Sequence, residues 1–389
     1  MQKTTMFKSI KNVILNSYYL CNYRIMIKFA DVILYGNQDR IKNMKYYPLL
    51  FEPNLHPVVW GGNRLRPYKG MEPNDEPIGE SWEVSAVPSS VSVISNGSWA
   101  GRDLVSVIDS CPEDILGVQV ARQYGNKLPL LVKFIDARKD LSIQVHPNDE
   151  MARMVHGKSG KTEMWYVIDA QPGSYLYAGF KSHISPYEYR KRVQDGSIEE
   201  VLARHEVKAG DVFFLPAGRI HAICGGILLA EVQQSSDVTY RIFDYNRPGM
   251  DGKPRELHTE LAAQALDYEV LDEYRTEYAE EENRATHLID SPFFSVRVNR
   301  ITRPFHRDLI KYDSFIISLC ISGDCIIKVR STGEGTLLKS GHSCLIPAVI
   351  ADYDVIPLMG ETQILDAYLD YKDKGIGRMV SRFLHITKK

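Results

Sequence analysis

The chain has no apolar run of about eighteen residues or more, so no segment reads as a helix able to cross a bilayer. It also lacks an excess of charge of either sign. Lys and Arg number 47 against 49 Asp and Glu, a formal net charge of -2. Nothing therefore draws the whole molecule toward nucleic acid or an acidic membrane. An anionic substrate would have to be held by local basic residues. Cysteine is scarce and unpatterned: Cys21, Cys111, Cys224, Cys320, Cys325 and Cys344 form no CxxC and no zinc-finger spacing. That argues against a disulfide framework and for reduced thiols in a cytoplasmic protein.

What is present is ordinary for a globular protein, with 44% hydrophobic and 25% charged residues. The length allows two domains, or one large domain with a satellite. Residues 1–43 stand apart. They are basic and rich in Ile, Tyr, Asn and Lys. Residues 9–20 are mildly apolar but broken by Lys11, Asn12 and Asn16, with no small-residue cleavage site after them, which argues against a signal peptide. The expectation is a non-native or disordered extension over 1–43, with Met44 as the natural start.

The polar chemistry gathers in residues 128–163. Alternate residues of a strand share a face, so Ser142, Gln144 and His146 line one side while Ile143 and Val145 take the other. Lys161 and Glu163 share a face of a second predicted strand. A hairpin of the two would collect Gln144, His146, Lys161 and Glu163. Farther on, Gly210, Pro216, Gly218 and His221 fall at the spacing G-x5-P-x-G-x2-H. This is similar to a conserved motif of the cupin superfamily, in which a Pro-x-Gly turn presents a metal-binding histidine. Two imidazoles, a carboxylate and an amide oxygen suit a borderline divalent ion, zinc first. Cys224 reads as a small buried hydrophobe rather than a soft ligand.

Glu80–Ser85 alternates like a strand, and residues 89–98 continue the sheet to a turn at Asn96-Gly97. Trp60-Gly61-Gly62 reads as close backbone packing. Residues 101–122 look helical, with Leu104, Val107 and Ile108 on one face. Leu128–Phe134 is an apolar strand with one charge, Lys133. Capping boxes at Ser185–Glu188 and Ser197–Glu200 predict a small helical insertion near 184–206. Glu231 and Gln233 alternate with apolar residues in a strand. Asp237 and Arg241 follow, and His258 sits at a helix start. Residues 338–348 echo residues 207–217, with Gly341 and Pro347 matching Gly210 and Pro216. Asp352 occupies the place of His221, so this second unit reads as a degenerate copy without metal. The fold expected is all-β: a cupin jelly-roll barrel with a helical insertion over 44–286, then a smaller degenerate cupin-like β domain over 287–389.

Gln144-x-His146-Pro147-Asn148-Asp149, Lys161-x-Glu163, His221 and Ser235-Ser236-Asp237-x-x-x-Arg241 together resemble type I phosphomannose isomerases, in their short bacterial form. Trp60-Gly61-Gly62 and Gly79-Glu80-Ser81-Trp82-Glu83 match the opening of that family. The resemblance implies a zinc-dependent aldose-ketose isomerase acting on mannose 6-phosphate and fructose 6-phosphate, one ion per chain, as a monomer or homodimer. It implies metal ligands His146, Glu163, His221 and Gln144, catalytic residues Arg241, Lys161 and Asp237, and Ser142 and Lys133 on the substrate-phosphate side. Arg138 and Lys139 are weaker phosphate candidates. Lys161, beside a dication, is expected to have a lowered pKa and to shuttle a proton. Two other readings stay open: an Fe(II) cupin oxygenase, against which Gln144 in place of a histidine argues, and a non-catalytic sugar-binding cupin.

Overall fold

Period-two alternation governs most of the chain, and it folds as four sheets in a computed structural model that describes residues 46–308 and 312–370. The expected extension over 1–43 lies outside the described residues. The first strands in chain order are β1 (Leu49–Leu50), β2 (Leu55–Gly62), β3 (Ile78–Val84), β4 (Leu130–Ala137), β5 (Ile143–Val145) and β6 (Glu163–Ala170). Then come β7 (Tyr175–Phe180), β8 (Leu202–Glu206), β9 (Val212–Leu215), β10 (His221–Ile223), β11 (Ile227–Gln234) and β12 (Tyr240–Phe243). One sheet runs β2-β3-β4-β11-β6-β9 and the other β12-β5-β10-β7-β8. They pack as a jelly-roll barrel, with Trp165, Leu215 and Ile135 of the first against Leu176, Ala178 and Ile223 of the second. Strands β4 and β11 are buried at every position, so the charged residues they carry are deliberate exceptions to an apolar interior.

Three expectations change. First, β5 and β6 are not a hairpin. They lie in different sheets and face each other across the barrel. The reason is the helix Asp149–His156 between them, opened by the Asn148 side chain accepting from Met151 N and closed by left-handed Gly157. That helix carries the chain across. Second, the helix expected over 101–122 is three short ones, Leu104–Ser110, Pro112–Leu116 and Val118–Tyr124. Pro112 and Gly117, at φ 98°, break it. Leu104, Val107 and Ile108 are fully buried as the pattern requires. Third, residues 89–98 add only isolated bridges at Val93 and Ile94.

The insertion contains the helix Pro186–Asp195, with Ser185 accepting from Glu188 N. The second capping box does not form. The Ser197 hydroxyl donates to Asp195 instead, and Ile198–Val201 is a 3-10 turn leading into β8.

The later strands are β13 (Ala285–Asp290), β14 (Ser295–Ile301), β15 (Phe305–Asp308), β16 (Ile316–Ser322), β17 (Cys325–Val329), β18 (Gly335–Leu338), β19 (Ser343–Ile346), β20 (Asp352–Pro357) and β21 (Thr362–Tyr368). They form sheets β1-β19-β16-β21-β14-β13 and β15-β20-β17-β18. The internal repeat is visible in the backbone: Gly210 and Gly341 take φ 88° and 74° before β9 and β19. Strand β1 is an edge of this second unit, with Leu49 opposite Leu345. A buried Lys69–Glu83 pair at 2.6 Å joins the two halves, since Lys69 also donates to Gly341 O and Ser343 to Glu83. Among the described residues no helix is long and apolar enough to cross a membrane.

Candidate metal centre and cavity

Two rows of in-register residues build the site. In one sheet Arg241 on β12 lies opposite Gln144 on β5, which lies opposite His221 on β10. In the other, Trp82, Lys133, Glu231 and Trp165 lie side by side on β3, β4, β11 and β6, with Gln233 and Glu163 in the next row. Period-two alternation points both rows into the barrel.

His146, Glu163 and His221 converge, their ligand atoms all within 4.8 Å of one another, and all three are buried. Each imidazole donates its Nδ1–H to a backbone carbonyl, His146 to Val238 at 3.0 Å and His221 to Arg219 at 2.8 Å. That fixes the tautomer and leaves a lone pair on each Nε2. Both lone pairs face Glu163, at 3.4 Å from His146 and 3.3 Å from His221. No proton bridges them. Burial, then Lys161, pushes the His146 pKa down to about 3, and burial lowers that of His221. Burial would raise the Glu163 carboxyl, yet Lys161 and the two imidazoles hold it well below its usual range. His146 Nε2 has no hydrogen-bond partner, and the Glu163 carboxylate has only the Lys161 ammonium, 3.0 Å from one of its oxygens. Acceptors facing acceptors in a dry interior require a cation between them. With one atom from each residue gathered within 4.8 Å, the three side chains are close enough to share a single ion. The residues present therefore fit a divalent ion.

Gln144 lies beside this set, its amide nitrogen 3.3 Å from His221 Nε2, and Ser142 donates to its Oε1 at 3.4 Å. Turning the amide over presents oxygen to the centre. Cys224 points into the apolar cluster with Ile143 and Tyr240, away from the ligands.

A cavity of about 220 Å³ adjoins the centre, lined by Ser142, Gln144, Lys133, Lys161, Asp237 and Arg241 among others. Lys161 reaches Glu163 at 3.0 Å and Glu231 at 3.9 Å. Burial alone would lower its pKa, but those carboxylates outweigh burial and raise it. Lys133 lies on β4, an interior strand of its sheet. It sits buried between Glu80 at 3.4 Å and Glu231 at 3.5 Å, over the Trp82 ring. Asp237 does not hold Arg241; it accepts from Lys158 at 2.6 Å. His258 holds Arg241 instead, its Nδ1 accepting from Arg241 N at 3.3 Å. Arg138 and Lys139 are exposed and outside the cavity lining. Asp352, at the place of His221 in the repeat, is exposed and paired with His306.

Sequence reasoning gave no role to Glu231, Glu80 or Arg255, which also line the cavity. Glu231 accepts from Trp165 at 3.0 Å, and burial, then Glu163, raises its pKa. The available signal was a carboxylate inside an otherwise apolar strand.

A family profile described as the catalytic domain of type I phosphomannose isomerase matches residues 49–170. A mannose-6-phosphate isomerase of Streptococcus mutans is 38% identical over 64% of this chain and 77% of that protein. One from Bacillus subtilis is 37% identical over 64% and 78%. The crystal structure of the mannose 6-phosphate isomerase from Bacillus subtilis superposes with a TM-score of 0.74 at 31% identity, covering 82% of this chain and 99% of that one.

Proposed function

The chain belongs to the type I phosphomannose isomerase family, and on that premise we propose that it interconverts mannose 6-phosphate and fructose 6-phosphate using one zinc ion per chain. The observation that carries the metal reading is the pair of imidazole lone pairs aimed at Glu163 in a buried pocket. His146, Glu163 and His221 would hold the ion, with Gln144 as fourth ligand. When bound, the ion supplies Lewis-acid stabilisation to the substrate oxygens.

Isomerisation moves a proton from C2 of the open-chain aldose to C1, through an enediolate whose oxygen gains negative charge. Arg241 keeps its charge and presents a buried, unpartnered Nε–H to the cavity, so it stabilises that oxygen. Lys161 stands beside Glu163 and Glu231 and carries the proton between oxygens and carbon. Asp237 lines the same cavity as a candidate base. Ser142 and Lys133 contact the sugar from the wall; Lys133, already matched by two carboxylates, suits hydroxyl groups.

We assign residues 44–286 to the catalytic barrel and 287–389 to the supporting β domain. The five described cysteines are unpaired, which suits the cytoplasm. All four metal-ligand candidates come from one chain, so the site is compatible with a monomer or a homodimer. The test is a coupled assay of fructose 6-phosphate formation on chelated and zinc-restored protein. Activity lost on chelation and regained with zinc is expected. No turnover at full zinc occupancy would overturn the reading.

A further inference from the structure

The cavity is electrostatically lopsided. On the wall formed by β3, β4, β6 and β11, both ammonium groups are matched: Lys133 by Glu80 and Glu231, Lys161 by Glu163 and Glu231. A phosphate dianion there would meet three carboxylates. Past β12 the balance reverses. Arg247 and Arg255 share one buried carboxylate, Asp244, and Arg241 stands beside them. Arg255 grips it through Nε at 2.7 Å and Nη2 at 2.6 Å, and Arg247 through Nε at 3.0 Å and Nη2 at 2.8 Å. Arg241 gives Nη1 to Glu256 O at 2.9 Å, while the Glu256 carboxylate is 85% exposed and screened by water. Burial lowers the Arg241 pKa, and the charges of Arg255 and, less, Arg247 lower it further. Two guanidinium groups, Arg241 and Arg255, thus face the cavity beside a single buried carboxylate that Arg247 also holds from outside, which leaves an excess of positive charge.

The backbone is bent to make this pocket. Tyr245 and Asn246 take left-handed φ of 55° and 51°, and Pro248 bridges Pro254, so the loop returns Arg255 to the Asp244 carboxylate. Consecutive non-glycine residues in that region mark a conformation held for use. Arg241 and Arg255 line the cavity; Arg247 is not among its lining residues.

We propose that Arg255 is the residue that selects a phosphorylated sugar. Its guanidinium receives the phosphate dianion, and Asp244 holds it in place for a bidentate contact, while Arg241 stays with the reacting oxygens. The inference rests on the sugar-phosphate isomerase reading and adds the residue that sets its substrate class.

The experiment uses zinc-loaded full-length protein, mannose 6-phosphate as substrate and inorganic phosphate as competing ligand. Arg255→Gln is expected to raise KM for the substrate and Ki for inorganic phosphate by about 10- to 100-fold, with kcat changed far less. Arg255→Lys should recover part of both, since charge survives without the fork. Arg247→Gln loosens the same loop from outside the cavity and should leave both constants within about threefold. Unchanged KM and Ki in Arg255→Gln, or an equal rise in Arg247→Gln, would overturn the proposal. Should the wild type bind inorganic phosphate by calorimetry without turning over mannose 6-phosphate, the isomerase reading fails. Loss of that binding in Arg255→Gln alone would still establish the anion site, and its retention would remove it.

Discussion

Glu163 stands anionic between two neutral imidazoles, so each of the three side chains is poised by the other two. Glu163→Gln removes the charge while keeping the shape. Metal content by atomic emission should fall with an affinity loss above about 100-fold, larger than that for residues that merely support ligands. Arg241→Ala should lower kcat by about 10²–10³-fold with zinc still bound, measured on variants of verified metal content. Such a split separates a group that holds the ion from one that meets the developing charge. Asp244 sets a pH dependence. Burial would raise its carboxyl, but the Arg255 hydrogen bond and charge, with Arg247 behind, hold it below the usual carboxylate range. A depressed folded pKa contributes stability above the unfolded value, about 3.9, that is lost as pH falls through the folded value. Thermal melts should show Asp244→Asn below wild type at neutral pH, with the gap closing in acid below about pH 4.

Elements matter here for which sheet they deliver a residue to. The helix Asp149–His156 carries the chain from β5 to the opposite sheet, and its start depends on Asn148. Asn148→Ala should cost about 0.5–2 kcal/mol in denaturant unfolding. It should also weaken zinc binding, because His146 lies two residues before the cap. This element also shows what the sequence makes legible. Alternation revealed that Gln144 and His146 share a face, and the Pro-Gly spacing singled out His221. Alternation does not say which strand lies opposite. The chain between β5 and β6 admits both a hairpin and a crossover, and only packing of the whole barrel chooses. The ion pairs of Lys133 are hidden from the sequence for the same reason: its partners Glu80 and Glu231 come from strands distant in sequence. The broken helix over 101–122 is a different case, since Pro112 and Gly117 were in view and the apolar spacing of Leu104, Val107 and Ile108 masked them.

Across the whole molecule, the two β units are tied by a buried ion pair rather than by apolar contact alone. Lys69, Glu83, Ser343 and Gly341 O form a closed set of hydrogen bonds. Lys69→Ala leaves Glu83 buried without its cation and should cost about 3–5 kcal/mol of global stability, read as a lower denaturant midpoint. The pairing of β1 with β19 adds a constraint of timing. A ribosome makes Leu49–Leu50 long before it makes Ser343–Ile346. The first described strand therefore waits as an unpaired edge through synthesis of the catalytic barrel, and sheet completion belongs to the end of translation. Nascent chains stalled before residue 343 should accordingly be the ones that engage chaperones, although every metal ligand has already emerged.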